Sequence, residues 1–243
     1  MSVIPGELVE LDGGRLVLPT NADPAGAGHQ KIGFRRLAVG LDVGGRGDDP
    51  SALVIIRAES RPYMTGRGWQ QALTPPDYVV VYSETARLDE ATDVVEWVGQ
   101  KLQKLKNWHL TFDATGLGAP LTSMFHAAKI PALSVSITAG ATFSRKGNLA
   151  RVSKQVLFEN AAVCLQNGTL RIAGGLPERE KQALMSEIQS VEYAETSAGN
   201  LTLKAGGRGH HADRFSALTL ALIGETHFQP ARFETAQLAG YWG

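Results

Sequence analysis

Cysteine is almost missing from this chain: the single residue, Cys164, sits in the apolar run ENAAVCLQ. One thiol builds neither a disulfide framework nor a Cys-x-x-Cys metal site, so Cys164 is read as a core residue. No stretch reaches the roughly 18 uninterrupted apolar residues that a membrane span requires. The first residues also lack a basic segment followed by an apolar one, and together these absences predict an intracellular protein. The pattern Gly-x-x-x-x-Gly-Lys-Ser/Thr occurs nowhere, which excludes a P-loop within this sequence. Net charge is absent too, since 24 Lys and Arg balance 24 Asp and Glu. Binding to a polyanion would therefore rest on a local basic patch rather than on the field of the whole molecule. No internal repeat is visible.

What is there is a chain of 243 residues, 43% hydrophobic, enough for one domain with a full core plus extensions. Residues 1–34 read as an N-terminal extension, with a hairpin in ELVELDGGRLVL turning at Asp12-Gly13 and a Gly/Pro-rich linker after it. Residues 35–226 read as the main domain and 227–243, without periodicity, as a tail. RRLAVGLDVG, SALVIIRAE and DYVVVYSETARL are strand-like runs that suggest an antiparallel meander. A polar Gly/Pro-rich insertion containing Trp69 separates the second run from the third.

An amphipathic helix follows, apolar at Val94, Val95, Trp97, Val98, Leu102 and Leu105. Then come the strand NWHLTFDATG, a helix near GAPLTSMFHAA and the strand PALSVSIT. Trp97 and Trp108 read as core. LARVSKQVLFENAAVCLQNG reads as one helix ended by Gly168, then TLRIA as a strand. PEREKQALMSEIQSV opens a helix with Pro177 and two acids in its first turn. VEYAET and NLTLKA read as a hairpin, and HADRFSALTLALIGE as a helix with a stripe at Phe215, Leu218 and Leu222. The order predicts a mixed α/β sheet with helices on its faces.

Three aspartates stand out. Asp42, in VGLDVGG, and Asp113, in LTFDATG, each end an apolar strand where a buried carboxylate is costly unless paired or bound to a cation. Asp213 begins a helix two places after His-His. Taken singly, each also suits a turn or a helix cap. Converging at one sheet end, they would form an oxygen-lined site for hard divalent cations. Two Mg²⁺ or Mn²⁺ ions about 4 Å apart suit phosphodiester hydrolysis, one activating water and the other stabilising the leaving oxygen.

GLDVGGRGDDPSALVI, FDATGLGAP and GRGHHADRFSALTLAL, in this order and spacing, resemble the nuclease domain of the large terminase subunits of tailed double-stranded DNA phages. The resemblance runs from residue 36 to residue 225, with NLARVSKQVLFENAAVCLQNGTLRI in the corresponding place between. It implies an RNase H-like mixed sheet of about five core strands flanked by helices, with an extra β-hairpin. The implied activity is that of a metal-dependent endonuclease cutting concatemeric double-stranded DNA during packaging, encoded by a phage or prophage and acting in the host cytoplasm. The resemblance carries over Asp42, Asp113 and Asp213 as ligands of two Mg²⁺ or Mn²⁺ ions, with Asp42 bridging both, and His210 as an additional catalytic residue. It also implies a terminase ATPase motor, as a separate chain or a removed domain, a small terminase subunit and a portal as partners. Where many relatives carry a second acid before the last aspartate this sequence has Ala212, which leaves Asp48 and Asp49 as further candidates.

DNA held without base reading needs Lys and Arg against phosphates. Arg46, Arg208 and Arg214 flank the acids in sequence, and Arg145 and Lys146, with Arg151 and Lys154, form a second cluster. Other readings stay open at this stage. A junction resolvase or transposase-type nuclease would use the same acids. An actin-like phosphotransferase would use LDVGGRGDD with the Gly-Gly pairs of RIAGGLPE and LKAGGRGHH. A non-enzymatic DNA- or portal-binding module would need none of the three aspartates.

Overall fold

The computed structural model describes residues 8–18, 30–45, 49–65, 70–139, 143–195, 201–205 and 212–228. Strands β1 (Val9–Leu11) and β2 (Arg15–Val17) form the hairpin expected around Asp12-Gly13, and β2 then pairs with β3 (Gly33–Asp42). β3, β4 (Ser51–Ser60) and β7 (Asp77–Ala86) make the antiparallel meander. Between the last two, the Gly/Pro-rich insertion folds as its own hairpin of β5 (Pro62–Thr65) and β6 (Gln70–Leu73); Trp69 lies outside the described residues. Helix α1 (Ala91–Leu102) leads to β8 (Trp108–Asp113), and α2 (Leu121–Ala127) leads to β9 (Ala132–Thr138). β8 lies parallel to β3 on one side and to β9 on the other.

Beyond this five-stranded centre the sheet continues. β10 (Phe143–Lys146) and β11 (Leu149–Ser153) extend it past β9, and after α3 (Lys154–Gln166) β12 (Leu170–Ile172) extends it past β7. The order is β10-β11-β9-β8-β3-β4-β7-β12. Helix α4 (Glu178–Gln189) is followed by the antiparallel hairpin of β13 (Val191–Glu195) and β14 (Leu201–Ala205), and then by α5 (Asp213–Thr226).

One segment differs from the sequence reading. LARVS is strand β11, not the first turn of a helix, because its burial alternates: Ala150 and Val152 are inside while Leu149 and Arg151 are exposed. The helix starts where Ser153 caps it, its hydroxyl accepting a 3.2 Å hydrogen bond from the Val156 N–H.

The strand pleat sorts the core into two faces. Val39, Leu41, Leu110 and Phe112 point to α1 and α2, where they meet Val94, Val98, Leu102, Leu121 and Phe125. Trp97 and Trp108 pack partly buried against that cluster, as expected. The opposite face carries α5, and α3 and α4 pack on α5 in turn. Helix α5 is therefore buried all round rather than along a stripe: Ala217, Leu220, Ala221 and Ile223 are as inaccessible as Leu218 and Leu222. Cys164 is buried in the same cluster without a disulfide partner. Among the described residues no helix is long and apolar enough to cross a membrane.

Candidate active site

Parallel pairing puts Asp42 and Asp113 side by side. Leu41 registers with Phe112, so the next residue of each strand, an aspartate in both, stands at the same end of the sheet on adjacent strands. Alternation sends both carboxylates to the α5 face, since Gly40 and Thr111, two residues earlier, contact that helix. Gly40 is what lets α5 come so close. An added Cβ there would lie 1.8 Å from the Ala217 carbonyl oxygen and 2.6 Å from the Ala221 nitrogen. Helix α5 runs antiparallel to β3, with Glu225 beside Arg36 at one end and Asp213 brought over the end of β3 at the other.

The electrostatics agree with this convergence. Burial, then the like charges of Asp113 and Asp213, push the Asp42 carboxyl up to about 8; Asp49 adds to the rise and a hydrogen bond from Ser216 opposes it. Burial also raises Asp113, against which the Thr115 N–H donates a 2.7 Å hydrogen bond to Oδ1. Thr115 is itself fixed to β9, its hydroxyl accepting a 2.8 Å bond from the Ile137 N–H. In the first loop the Gly44 N–H donates to Ser51 Oγ and the Gly45 N–H to Asp49 Oδ2, both at 3.0 Å.

Among the described residues no three His, Cys, Asp or Glu side chains close around one point. Asp113 and Asp213 both act on the buried Asp42 as like charges. Such a donor set, all hard oxygen, fits a divalent cation of the Mg²⁺ or Mn²⁺ kind.

Two of the expected DNA contacts have other partners. The Arg214 guanidinium, 15% exposed, is held by Glu180 at 3.0 Å and Glu187 at 3.2 Å, both on α4. It therefore lies against α4. Arg145 sits three strands from Asp113, donating to the carbonyls of Gly147 and Phe228, the latter beyond the far end of α5. Lys146 and Arg151 are exposed on β10 and β11, and Lys154 lies 5.4 Å from the centre of the Phe158 ring. Arg46, Asp48, Arg208 and His210 lie outside the described residues.

Sequence reading missed Ser216, Thr115 and Glu187. Ser216 carries one signal, its place three residues after Asp213 and so on the same side of the helix. A cavity of about 480 Å³ lies elsewhere, between α2 and β9, lined by Phe112, Thr122, His126 and Ser134 among others. A smaller one of about 210 Å³, with Gly44, Gly45, Asp89 and Gly116 in its wall, adjoins the loops that carry Asp42 and Asp113.

No protein-family model matches the sequence, and no curated protein does. The order of the central strands, with helices on both faces, defines the class as an α/β fold of the RNase H-like kind. Within that class the chain has the fold of phage large-terminase nuclease domains. The nuclease domain of the Thermus phage P74-26 large terminase superposes with a TM-score of 0.54 at 18% identity, covering 96% of this chain and 95% of that one. The large terminase nuclease of thermophilic phage G20c with bound magnesium gives 0.56 at 17% identity, over 90% and 98%. The nuclease domain of the large terminase subunit gp2 of bacterial virus Sf6, a mutant with manganese, gives 0.53 at 15% identity, over 77% and 87%.

Proposed function

We propose that this chain is the nuclease of a phage DNA-packaging terminase, a metal-dependent endonuclease that cuts concatemeric double-stranded DNA in the host cytoplasm. The observation that carries the reading is that Asp113 and Asp213 both bear as like charges on the buried Asp42, whose carboxyl is raised to about 8 by burial first and by those charges second. Asp42, Asp113 and Asp213 would hold two Mg²⁺ or Mn²⁺ ions. When bound, the ions supply an activated water and charge stabilisation for the departing 3′ oxygen.

The chain's own groups set up that chemistry. Ser216 and the Thr115 N–H hold the Asp42 and Asp113 carboxylates in place, so the donors are oriented before DNA arrives. Asp42 keeps its proton to higher pH than an ordinary carboxylic acid, and it must give that proton up before it can serve as a ligand. The exposed Lys146 and Arg151 are candidates for phosphate contacts at a distance from the acids, with His210, Arg46 and Arg208 as further candidates from the sequence. Neighbours crystallised with magnesium, cobalt and manganese support the choice of cation. The partners this reading entails are a terminase ATPase motor, a small terminase subunit and a portal.

Plasmid cleavage with added Mg²⁺, Mn²⁺ or EDTA tests it, wild type beside Asp113→Ala. Metal-dependent linearisation and smearing, reduced at least about a hundredfold in the variant, is expected. Equal cleavage by both proteins, in preparations free of contaminating nuclease, refutes the assignment.

A further inference from the structure

Helix α5 begins without a cap of its own. Ala212 holds the N-cap position and offers no side-chain acceptor to the first-turn amides. One acceptor comes from another helix: Glu187 Oε2, on α4, takes a 3.0 Å hydrogen bond from the Phe215 N–H. The second oxygen, Oε1, takes a 3.2 Å bond from Arg214 Nη1. Arg214 continues the chain of contacts, with Nε on Glu180 Oε2 at 3.0 Å and Nη2 on Thr85 Oγ1 at 3.3 Å. Glu187, Arg214 and Glu180 are all largely removed from solvent. The clamp joins the two ends of the excursion 190–212, which contains the β13–β14 hairpin, and it grips Arg214 and Phe215, the two residues that follow Asp213.

The geometry points to Glu187 as a positioning residue: by capping α5 from α4 and holding Arg214, it fixes the first turn that carries Asp213 and so sets the affinity of the acidic site for a divalent cation. This rests on the reading of Asp42, Asp113 and Asp213 as ligands.

Calorimetric titration with Mn²⁺ alone, on the full chain, tests the idea together with hydrogen exchange of the 213–216 amides. Glu187→Ala is expected to weaken Mn²⁺ binding about fivefold and to speed exchange at Phe215 by a similar factor, the size expected from losing one helix cap. Glu187→Gln keeps an acceptor for the Phe215 N–H, so its exchange stays within about twofold of wild type, and it covers the case in which the alanine variant folds poorly. Val98→Ala, on the opposite face of the sheet, serves as a destabilised control and leaves Mn²⁺ affinity unchanged.

Unchanged exchange at 213–216 in Glu187→Ala overturns the clamp. Equal loss of Mn²⁺ affinity in Glu187→Ala and Val98→Ala overturns the positioning role, as does a wild type that binds no Mn²⁺. A wild type that binds Mn²⁺ but cuts no DNA overturns the nuclease reading alone, and the affinity shift still decides for or against Glu187.

Discussion

Asp42 is a carboxylate kept in a place where ionising it is costly, and that has a measurable sign. Folding raises its proton affinity from an ordinary 3.8 to about 8, so the folded chain binds the proton that the unfolded chain releases. The contribution to stability is complete below about pH 4 and is lost as the pH rises through about 8. In metal-free protein, Asp42→Asn should therefore melt higher than wild type at pH 8 by at least about 2 °C, the gap closing toward pH 4. Added Mn²⁺ should raise the wild-type melting temperature and leave that of the variant nearly unmoved. A gap that widens on acidification would contradict the burial and repulsion inferred around Asp42. Asp42 and Asp113 were legible in the sequence because a charge interrupting an apolar run demands an explanation. Glu187 and Arg214 were not, since their partners come from different helices and only packing joins them.

At the level of elements, periodicity resolved the meander, α1, β8, α2 and β9 in order, because each has one clear face. It failed where two patterns overlap. LARVS satisfies a helical stripe and a strand alternation alike, and the edge strand β10, with Phe143, Ser144, Arg145 and Lys146 all exposed, has no buried face to read. Helix α5 showed its stripe but not its central burial, which depends on glycine meeting backbone across the layer. Gly40→Ala tests that contact directly. The methyl group has no space beside the Ala217 carbonyl, so the variant should lose about 2 kcal/mol of stability by chemical denaturation. It should also weaken Mn²⁺ binding, because any retreat of α5 carries Asp213 with it. A neutral Gly40→Ala would mean that the helix rides higher on the sheet than described.

For the whole molecule, the polar groups are segregated along the strands. The acids stand at one end of β3 and β8. Near the other end Glu225, 2% exposed, pairs with Arg36 and lies 3.7 Å from His109 Nε2, whose imidazole is pushed down to about 4 by burial and by Arg36. Truncation by Glu225→Ala strands a largely buried arginine and should cost about 3 kcal/mol in denaturant. The concentration of Mn²⁺ giving half-maximal cleavage should be unchanged at a temperature where the variant remains folded. A shift in that midpoint would show that the two ends are coupled more tightly than a rigid helix requires.

Helix α5 spans the distance between them, fourteen residues or about 21 Å, fastened by Arg36 at its tail and by Gly40 at its middle. It behaves as a gauge whose zero is set at Glu225 and whose reading is the position of Asp213. One alanine inserted after Leu220 would turn that aspartate through about 100° and shift it about 1.5 Å along the axis, with every loop left untouched.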